Sequence, residues 1–388
     1  MDTTFQRLTQ ISLLHDYGLF HGSRPNLPLI WPISLILPSI TIFQIALFDL
    51  LVSLGIKPDI VVGHSAGETA GSYASGALSK DMAVELSIIR GLSFSTIESI
   101  GGTMGALSCS PEDAQKILAE VCQTLPDQIL EIACFNSPTA VAISGHESAI
   151  KLAIELAESK GIFARKIRTS VPIHSSLMDH CLPIYVSKLE DLFSRFPGDH
   201  KPQITTFSTL TGAAFTDTID ATYFWNNTRS QVKFTHSIEA MTSEFSDLTF
   251  VELSPHPVLS SYISSMVTDK SVVLATARRP KDRISEEMDI LHLCGKLTSC
   301  GHNCVDFTFL NQVACYSVPI SLPPYPFAKV KFPLYPTSSE RDKQMESRFG
   351  PINHRYLKIN KDTHPILSEH VIRSEPIMPA AGFMEMVL

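Results

Sequence analysis

The sequence predicts an α/β protein with a small subdomain inserted into its larger part, and three observations carry that prediction. A short segment, Lys57 to Gly63, reads as a buried strand and leads directly into Gly63-His64-Ser65-Ala66-Gly67 and then into a helical pattern. Residues 103–170 alternate in the order β-α-β-β-α-β, the succession of a ferredoxin-like unit. Beyond Val171 the chain returns to α/β alternation.

The N-terminal MDTTFQRLTQ has acidic and polar residues where a secretory signal would carry a basic segment and an apolar core. Leu27 to Phe48 has no charged residue and is long enough to span a bilayer, but Pro28, Pro32, Pro38 and Gln44 interrupt it. Past Pro38, the positions Ile42, Ile45, Ala46, Asp49 and Leu50 predict a buried soluble helix opened by Ser39. A strand ending at Gly63 and a helix from near Ser65 come next, and Ser79 caps the helix KDMAVELSIIR.

In the inserted unit, MGALSC, ILEIACF, AVAISG and IFARKIRT read as strands, with Asn136, Ser137 and Pro138 separating the middle pair. PEDAQKILAEVC and AIKLAIELAESKG read as its helices. ITTFST, LTFVEL and SVVLATA are the later strands. From about Cys315 the run VPISLPPYPFAKVKFPLYP is too proline-rich for a helix or interior strand. It is expected to be an ordered linker held through Tyr325, Phe327 and Phe332. Another segment starts near Pro351. The chain stops inside the apolar run AAGFMEMVL, which is the expectation for a piece of a longer polypeptide.

Composition narrows the functional classes. With 388 residues and 44% hydrophobic side chains the chain can bury sizeable cores, which excludes wholesale disorder. A net charge of −8 gives no chain-wide basic footprint, so nucleic acid is not an expected partner. Eight cysteines are too few for a disulfide scaffold, and a reducing, cytoplasmic setting is expected.

The strongest chemical signal is the strand, G-x-S-x-G and helix around Ser65, the context of a nucleophile elbow. The turn would lift the Ser65 hydroxyl out of the sheet edge, and the Ala66 amide could donate to an oxyanion. Alternatively, Ser65-x-x-Glu68 is only a capping box. A serine needs a base, and composition leaves His174 and His256 both open. His292, Cys294, Cys300, His302 and Cys304 lack the paired spacing of zinc ligands, so no metal is expected. Asn226-Asn227-Thr228 matches a glycosylation sequon by chance.

GHSAGE, Arg90 twenty-five positions after Ser65, GGTMGAL, FNSP, VPIHSSLMD and ELSPHPVL occur in that order. Together they resemble the malonyl/acyl-CoA:acyl carrier protein transacylase domain of fungal iterative type I polyketide synthases. SLPPYPFAKVKF resembles the linker after that domain. THPILSEHVIRSEPIMPAAGFMEMVL resembles the start of a hot-dog dehydratase, or product-template, domain. The resemblance implies an α/β-hydrolase-like transacylase core over 1–102 and 171–285, with a ferredoxin-like insert over 103–170. A linker over 286–350 and an incomplete dehydratase-like segment over 351–388, bearing His370, would follow.

The resemblance further implies that Ser65 is acylated and that His174 is its base. A backbone carbonyl near Ser254–Val258 would orient the imidazole. Arg90 would hold a malonyl carboxylate, where the alternative is a solvated arginine favoured by a helix dipole. His64 and Asn136 would contact substrate. Malonyl-CoA and the phosphopantetheine arm of an acyl carrier protein would be the two acyl partners in a ping-pong transfer. No bound cofactor is implied, and the neighbours would be ketosynthase and dehydratase parts, with no membrane. The VPIH segment matches neither the usual malonyl nor the usual methylmalonyl signature.

Two departures stand out. The family opens with a strand and a G-Q-G loop that supplies an oxyanion donor, and neither Gln6 nor Gln10 has flanking glycines. That strand and loop are therefore expected to be missing. The family's H-x-x-x-G-x-x-x-x-P reads His370 to Pro379 with Ser374 in place of glycine. The half of that domain bearing the acid partner is expected to lie outside this chain, so no dehydration by this chain alone is expected. The alternatives are a serine esterase of α/β-hydrolase type, which needs an Asp or Glu between serine and histidine, and a catalytically impaired fragment that only docks.

Overall fold

The computed structural model describes residues 1–18, 31–268, 270–278, 286–310, 370–373 and 375–377. It divides into two units, Met1–Ser317 and Val318–Leu388.

The first unit opens with α1 (Asp2–Thr9) and α2 (Ile33–Ser53), followed by β1 (Ile60–Gly63), α3 (Gly67–Ala74) and α4 (Lys80–Ser95). Helix α2 begins at Ile33, not at Ser39, and contains Pro38. Pro38 lies in its second turn, where the missing N–H leaves only the Ser34 carbonyl without its helical donor. Gly91 of α4 lets the two helices close at this point: a Cβ there would sit 3.0 Å from Ser34 Cα and 3.2 Å from the Ile33 carbonyl oxygen. Helix α2 is long and apolar enough to cross a membrane by length and composition alone. Here it packs on α4 and buries Ile33, Leu35, Ile42, Ile45 and Leu51.

Helix α4 is buried along most of its length and forms the centre of the main core. The Ser79 hydroxyl caps it by accepting from Met82 N at 3.3 Å. Its buried Glu85 receives Arg7 at 3.1 Å and also Arg195. A buried carboxylate is tolerated on such terms, with cationic partners in place.

The next stretch contains β2 (Gly102–Leu107), α5 (Pro111–Thr124), β3 (Leu130–Ser137), β4 (Ala140–His146), α6 (Glu147–Ser159) and β5 (Ala164–Lys166). Its strands form one antiparallel sheet in the order β3-β4-β2-β5. Ile117, Val121, Ile150, Ala153 and Ala157 of the two helices pack with it in a separate core.

The chain then runs through α7 (Leu182–Arg195), β6 (Thr205–Ser208), β7 (Ala213–Ala214), α8 (Ala221–Arg229) and α9 (Phe234–Glu244). It continues with β8 (Thr249–Glu252), α10 (Leu259–Met266), β9 (Val272–Ala275) and α11 (Glu286–Ser299). Strand β1 pairs in parallel with β6, Ile60 opposite Thr205 and Gly63 opposite Ser208, and β7 joins β6 antiparallel. Strands β8 and β9 form a second parallel pair. Helix α2 reaches this pair: Gln44 Nε2 donates to the Leu253 carbonyl at 3.1 Å, and Leu51 clusters with Val251, Leu253 and Leu274.

In the second unit the described residues form a two-stranded antiparallel turn, Val371 opposite Pro376, with Ile377 N donating to the His370 carbonyl at 2.8 Å. His370 is exposed, and the positive φ in this turn, 51°, belongs to Arg373. The proline-rich linker with Tyr325, Phe327 and Phe332, the position Ser374, and the rest of the dehydratase-like segment lie outside the described residues.

Candidate active site

The Ser65 turn is built by a strand that must become a helix within three residues. Gly63 makes this possible, because a Cβ there would fall 2.5 Å from both N and Cα of Glu68. Ser65 itself has φ 55°, a left-handed conformation unusual for a non-glycine residue. Helical bonding starts at once, with Gly67 N to His64 O at 2.9 Å and Glu68 N to Ser65 O at 3.1 Å. The Ala66 amide is left without a partner among the described residues. Gly63→Ala is expected to destabilise the fold by about 3 kcal/mol, since the overlap is with backbone and cannot be relieved by a rotamer change. A thermal melt checks it.

The capping-box alternative does not hold. Neither Ser65 nor Ala66 caps α3 with its side chain. Glu68 instead turns inward: its carboxylate accepts Thr209 N at 2.7 Å and Thr209 Oγ1 at 2.5 Å, and bonds the Tyr223 hydroxyl. Burial raises its pKa. The carboxylate thereby ties the serine turn to the end of β6 and to α8.

The Ser65 hydroxyl lies 2.6 Å from His174 Nε2. The structure thus brings to Ser65 the histidine that the resemblance implied, while His256 is exposed in the loop after β8. His174 is 1% exposed and also has positive φ, 65°. Two carbonyls of one turn hold it: its N–H donates to Thr228 O at 3.1 Å, and Nδ1 lies 2.8 Å from Ser230 O. A carbonyl can only accept, so Nδ1 carries the proton and Nε2 presents a lone pair to Ser65. The orienting carbonyl is thus that of Ser230, not one near 254–258. In that loop Glu252 accepts the amides of Val258, Leu259 and Ser260, fastening the start of α10. The β3-β4-β2-β5 sheet braces the His174 loop, because Glu131 of β3 accepts both Ser176 N at 3.1 Å and Ser176 Oγ at 2.5 Å.

Burial pushes the His174 pKa down to about 3, and the positive charge of Arg90 adds to that. The imidazole is neutral at physiological pH.

Arg90 is 1% exposed and lies inside α4 rather than in its last turn, so the solvated, dipole-favoured alternative is excluded. Its Nη2 donates to Asn227 Oδ1 at 2.9 Å, and the guanidinium sits 5.5 Å from the Phe94 ring. Nε and Nη1 have no hydrogen-bond partner among the described residues; the buried Glu68 carboxylate acts on the guanidinium electrostatically without a direct ion pair. Buried N–H donors left unpaired on a cation are costly unless a ligand supplies acceptors.

His64 and Asn136 come together, with His64 Nε2 2.8 Å from Asn136 Oδ1, bridging the serine turn and strand β3. Burial lowers the His64 pKa. Ser230 also lines a cleft of ≈ 400 Å³ with Glu131, Leu210, Arg229, Gln231 and Lys233. Of the cysteine–histidine cluster, Cys294 is buried and His302 Nε2 lies 2.8 Å from Thr249 Oγ1. No group of three His, Cys, Asp or Glu side chains able to hold a metal occurs among the described residues. Sequence reasoning missed Asn227, taken there as part of a sequon. The signal that could have found it is that a buried arginine needs an acceptor.

Residues 23–307 match the acyl transferase domain family. The chain is 43% identical over 394 residues to the highly reducing polyketide synthase stpks1 of Strobilurus tenacellus, with all of this chain covered and 14% of that synthase. It is 31% identical to the highly reducing polyketide synthase ltbA of Aspergillus luteorubrus, over 90% of this chain and 12% of that protein. The chain therefore spans about one seventh or less of these relatives. Among solved structures, the acyltransferase domain from the second module of the salinomycin polyketide synthase superposes with a TM-score of 0.65 at 29% identity, over 75% of this chain and 65% of that one. The loading acyltransferase of the avermectin modular polyketide synthase does so with a TM-score of 0.67 at 25% identity, over 76% and 89%. The family match takes in Ser65, His174 and Arg90 alike, and the chain belongs to the acyl transferase domain family.

Proposed function

We propose that this acyltransferase chain moves a malonyl group from malonyl-CoA to an acyl carrier protein of a polyketide synthase, through an ester on Ser65. The observation that carries this is the 2.6 Å Ser65–His174 contact beside a buried arginine whose Nε and Nη1 are unpaired among the described residues. Ser65 Oγ attacks the thioester carbonyl and its proton passes to His174 Nε2, while the Ala66 amide donates to the oxyanion. Collapse breaks the C–S bond, and His174 returns the proton to the coenzyme A thiolate. The thiol of the carrier's phosphopantetheine arm then reverses these steps and takes the acyl group. Arg90 receives the free carboxylate, and the His64–Asn136 pair borders the acyl site.

A serine esterase needs a carboxylate behind its histidine, and here a main-chain carbonyl fills that place. The same reading assigns 1–102 and 171–285 to the large subdomain and 103–170 to a ferredoxin-like one, supported by the sheet order β3-β4-β2-β5. It assigns 286–350 to a linker and 351–388, with His370, to a dehydratase-like or product-template start. Ketosynthase and dehydratase parts of a cytoplasmic synthase are the neighbours.

Mass spectrometry after incubation with malonyl-CoA tests the proposal. One malonyl adduct on Ser65 is expected, with none in Ser65→Ala. Labelling elsewhere, or by ester probes alone, would overturn it.

A further inference from the structure

We propose that Asn227 is a positioning residue that sets acyl-group selectivity by aiming Arg90 without neutralising it. The inference rests on the reading of Arg90 as the carboxylate clamp. A buried guanidinium can be held by an acidic side chain or by a neutral acceptor, and the two have opposite consequences for a carboxylate ligand. An Asp or Glu would orient Arg90 and also cancel its charge, leaving little attraction for a substrate anion. Asn227, 2% exposed, supplies the acceptor alone: its Oδ1 takes one Nη2 hydrogen at 2.9 Å. Nε and Nη1 stay unengaged, buried and charged.

The position of Asn227 links this aim to the base. It lies in the last turn of α8, and the carbonyls of Thr228 and Ser230 just after it hold the amide and Nδ1 of His174. One turn thus sets the guanidinium through a side chain and the imidazole through its main chain. Asn227 has no part in the chemical steps. It acts through Arg90, so its removal is expected to alter discrimination between acyl groups rather than the rate for all of them.

The test uses Asn227→Asp and Asn227→Ala in the full chain, with Arg90→Ala in parallel. Ser65 acylation is followed with malonyl-CoA and with acetyl-CoA, giving kcat and KM for each. The Asp variant keeps the acceptor and the shape but adds a charge that pairs with Arg90. Its malonyl-to-acetyl ratio of kcat/KM is expected to fall at least tenfold. In the Ala variant the ratio falls through a raised KM for malonyl-CoA, with the malonyl kcat changing less. Equal losses for both donors, or an unchanged ratio in the Asp variant, overturn the inference, as does loss of the fold in both variants by thermal melt. If Ala alone fails to fold, the Asp variant decides. An unchanged ratio in Arg90→Ala removes the clamp reading itself. A collapsed ratio there with intact ratios in both Asn227 variants removes the role of Asn227 alone.

Discussion

Replacing His174 by alanine is expected to slow acylation of Ser65 by about 10³-fold, within the range that a positioned general base contributes. The quantity to measure is the rate of adduct formation with malonyl-CoA under single-turnover conditions. A loss below tenfold would mean that Ser65 is deprotonated some other way. The wild-type pH profile is the companion result. Burial and the Arg90 charge push the His174 pKa down to about 3, so loading by the folded enzyme should stay flat from pH 8 to pH 5. An ordinary imidazole, with a pKa near 6.5, would lose its lone pair to a proton across that interval. A rate that halves near pH 6.5 would contradict the buried, neutral base.

Stability is expected to respond differently over the same interval, and the sign follows from linkage. Above the unfolded value of about 6.5 neither state binds the proton, and the stability is complete. Below it the unfolded chain takes up a proton that the folded chain refuses, so stability falls as the pH drops toward 3. Melting temperature and rate per folded molecule should therefore separate on acidification.

Much of the fold was legible because local rules and packing agree. Ser79 and Ser110 each precede a helix and each accepts an amide three residues on, from Met82 and Asp113. The alternation over 103–170 reappears as β2 to β5 with two helices. The failures also have local causes. Helix α2 runs through Pro38 because the proline is early in the helix and Gly91 opens room beside it. The strand read from IFARKIRT is only Ala164–Lys166, and Phe163 beside it is 67% exposed.

The site divides in the same way. The Gly63-His64-Ser65-Ala66-Gly67 turn was readable because the backbone demands glycine at Gly63, where a Cβ would overlap Glu68. Composition left His174 and His256 both open, since a histidine carries no local mark of its partner; it was the resemblance carried by VPIHSSLMD that pointed to His174. The Ser230 carbonyl was invisible for a deeper reason: every residue has a carbonyl, so a main-chain acceptor has no sequence signature. Asn227 had a signature, but it was that of an unrelated motif.

Arg90→Ala is the variant expected to separate acyl groups most strongly. Malonyl loading should fall by about 10²- to 10³-fold in kcat/KM, the range for losing one partner of a buried, hydrogen-bonded charge pair. Acetyl loading lacks the carboxylate and should fall far less. The variant also removes the charge that helps to hold His174 low, so the acid limb of acetyl loading should move upward in pH. The two effects oppose each other, because a more basic imidazole is a better proton acceptor once the malonyl carboxylate no longer matters. Wild-type chemistry contains the same coupling. On the proposed clamp reading, a carboxylate arriving at Nε and Nη1 would cancel the guanidinium charge, and the basicity of His174 would rise when that acyl group is bound. The clamp would then favour malonyl twice, once in binding and once in readying the base. Equal losses for malonyl and acetyl donors in Arg90→Ala would remove both roles. A malonyl-specific loss with an unmoved acid limb would leave the clamp standing and remove its coupling to His174.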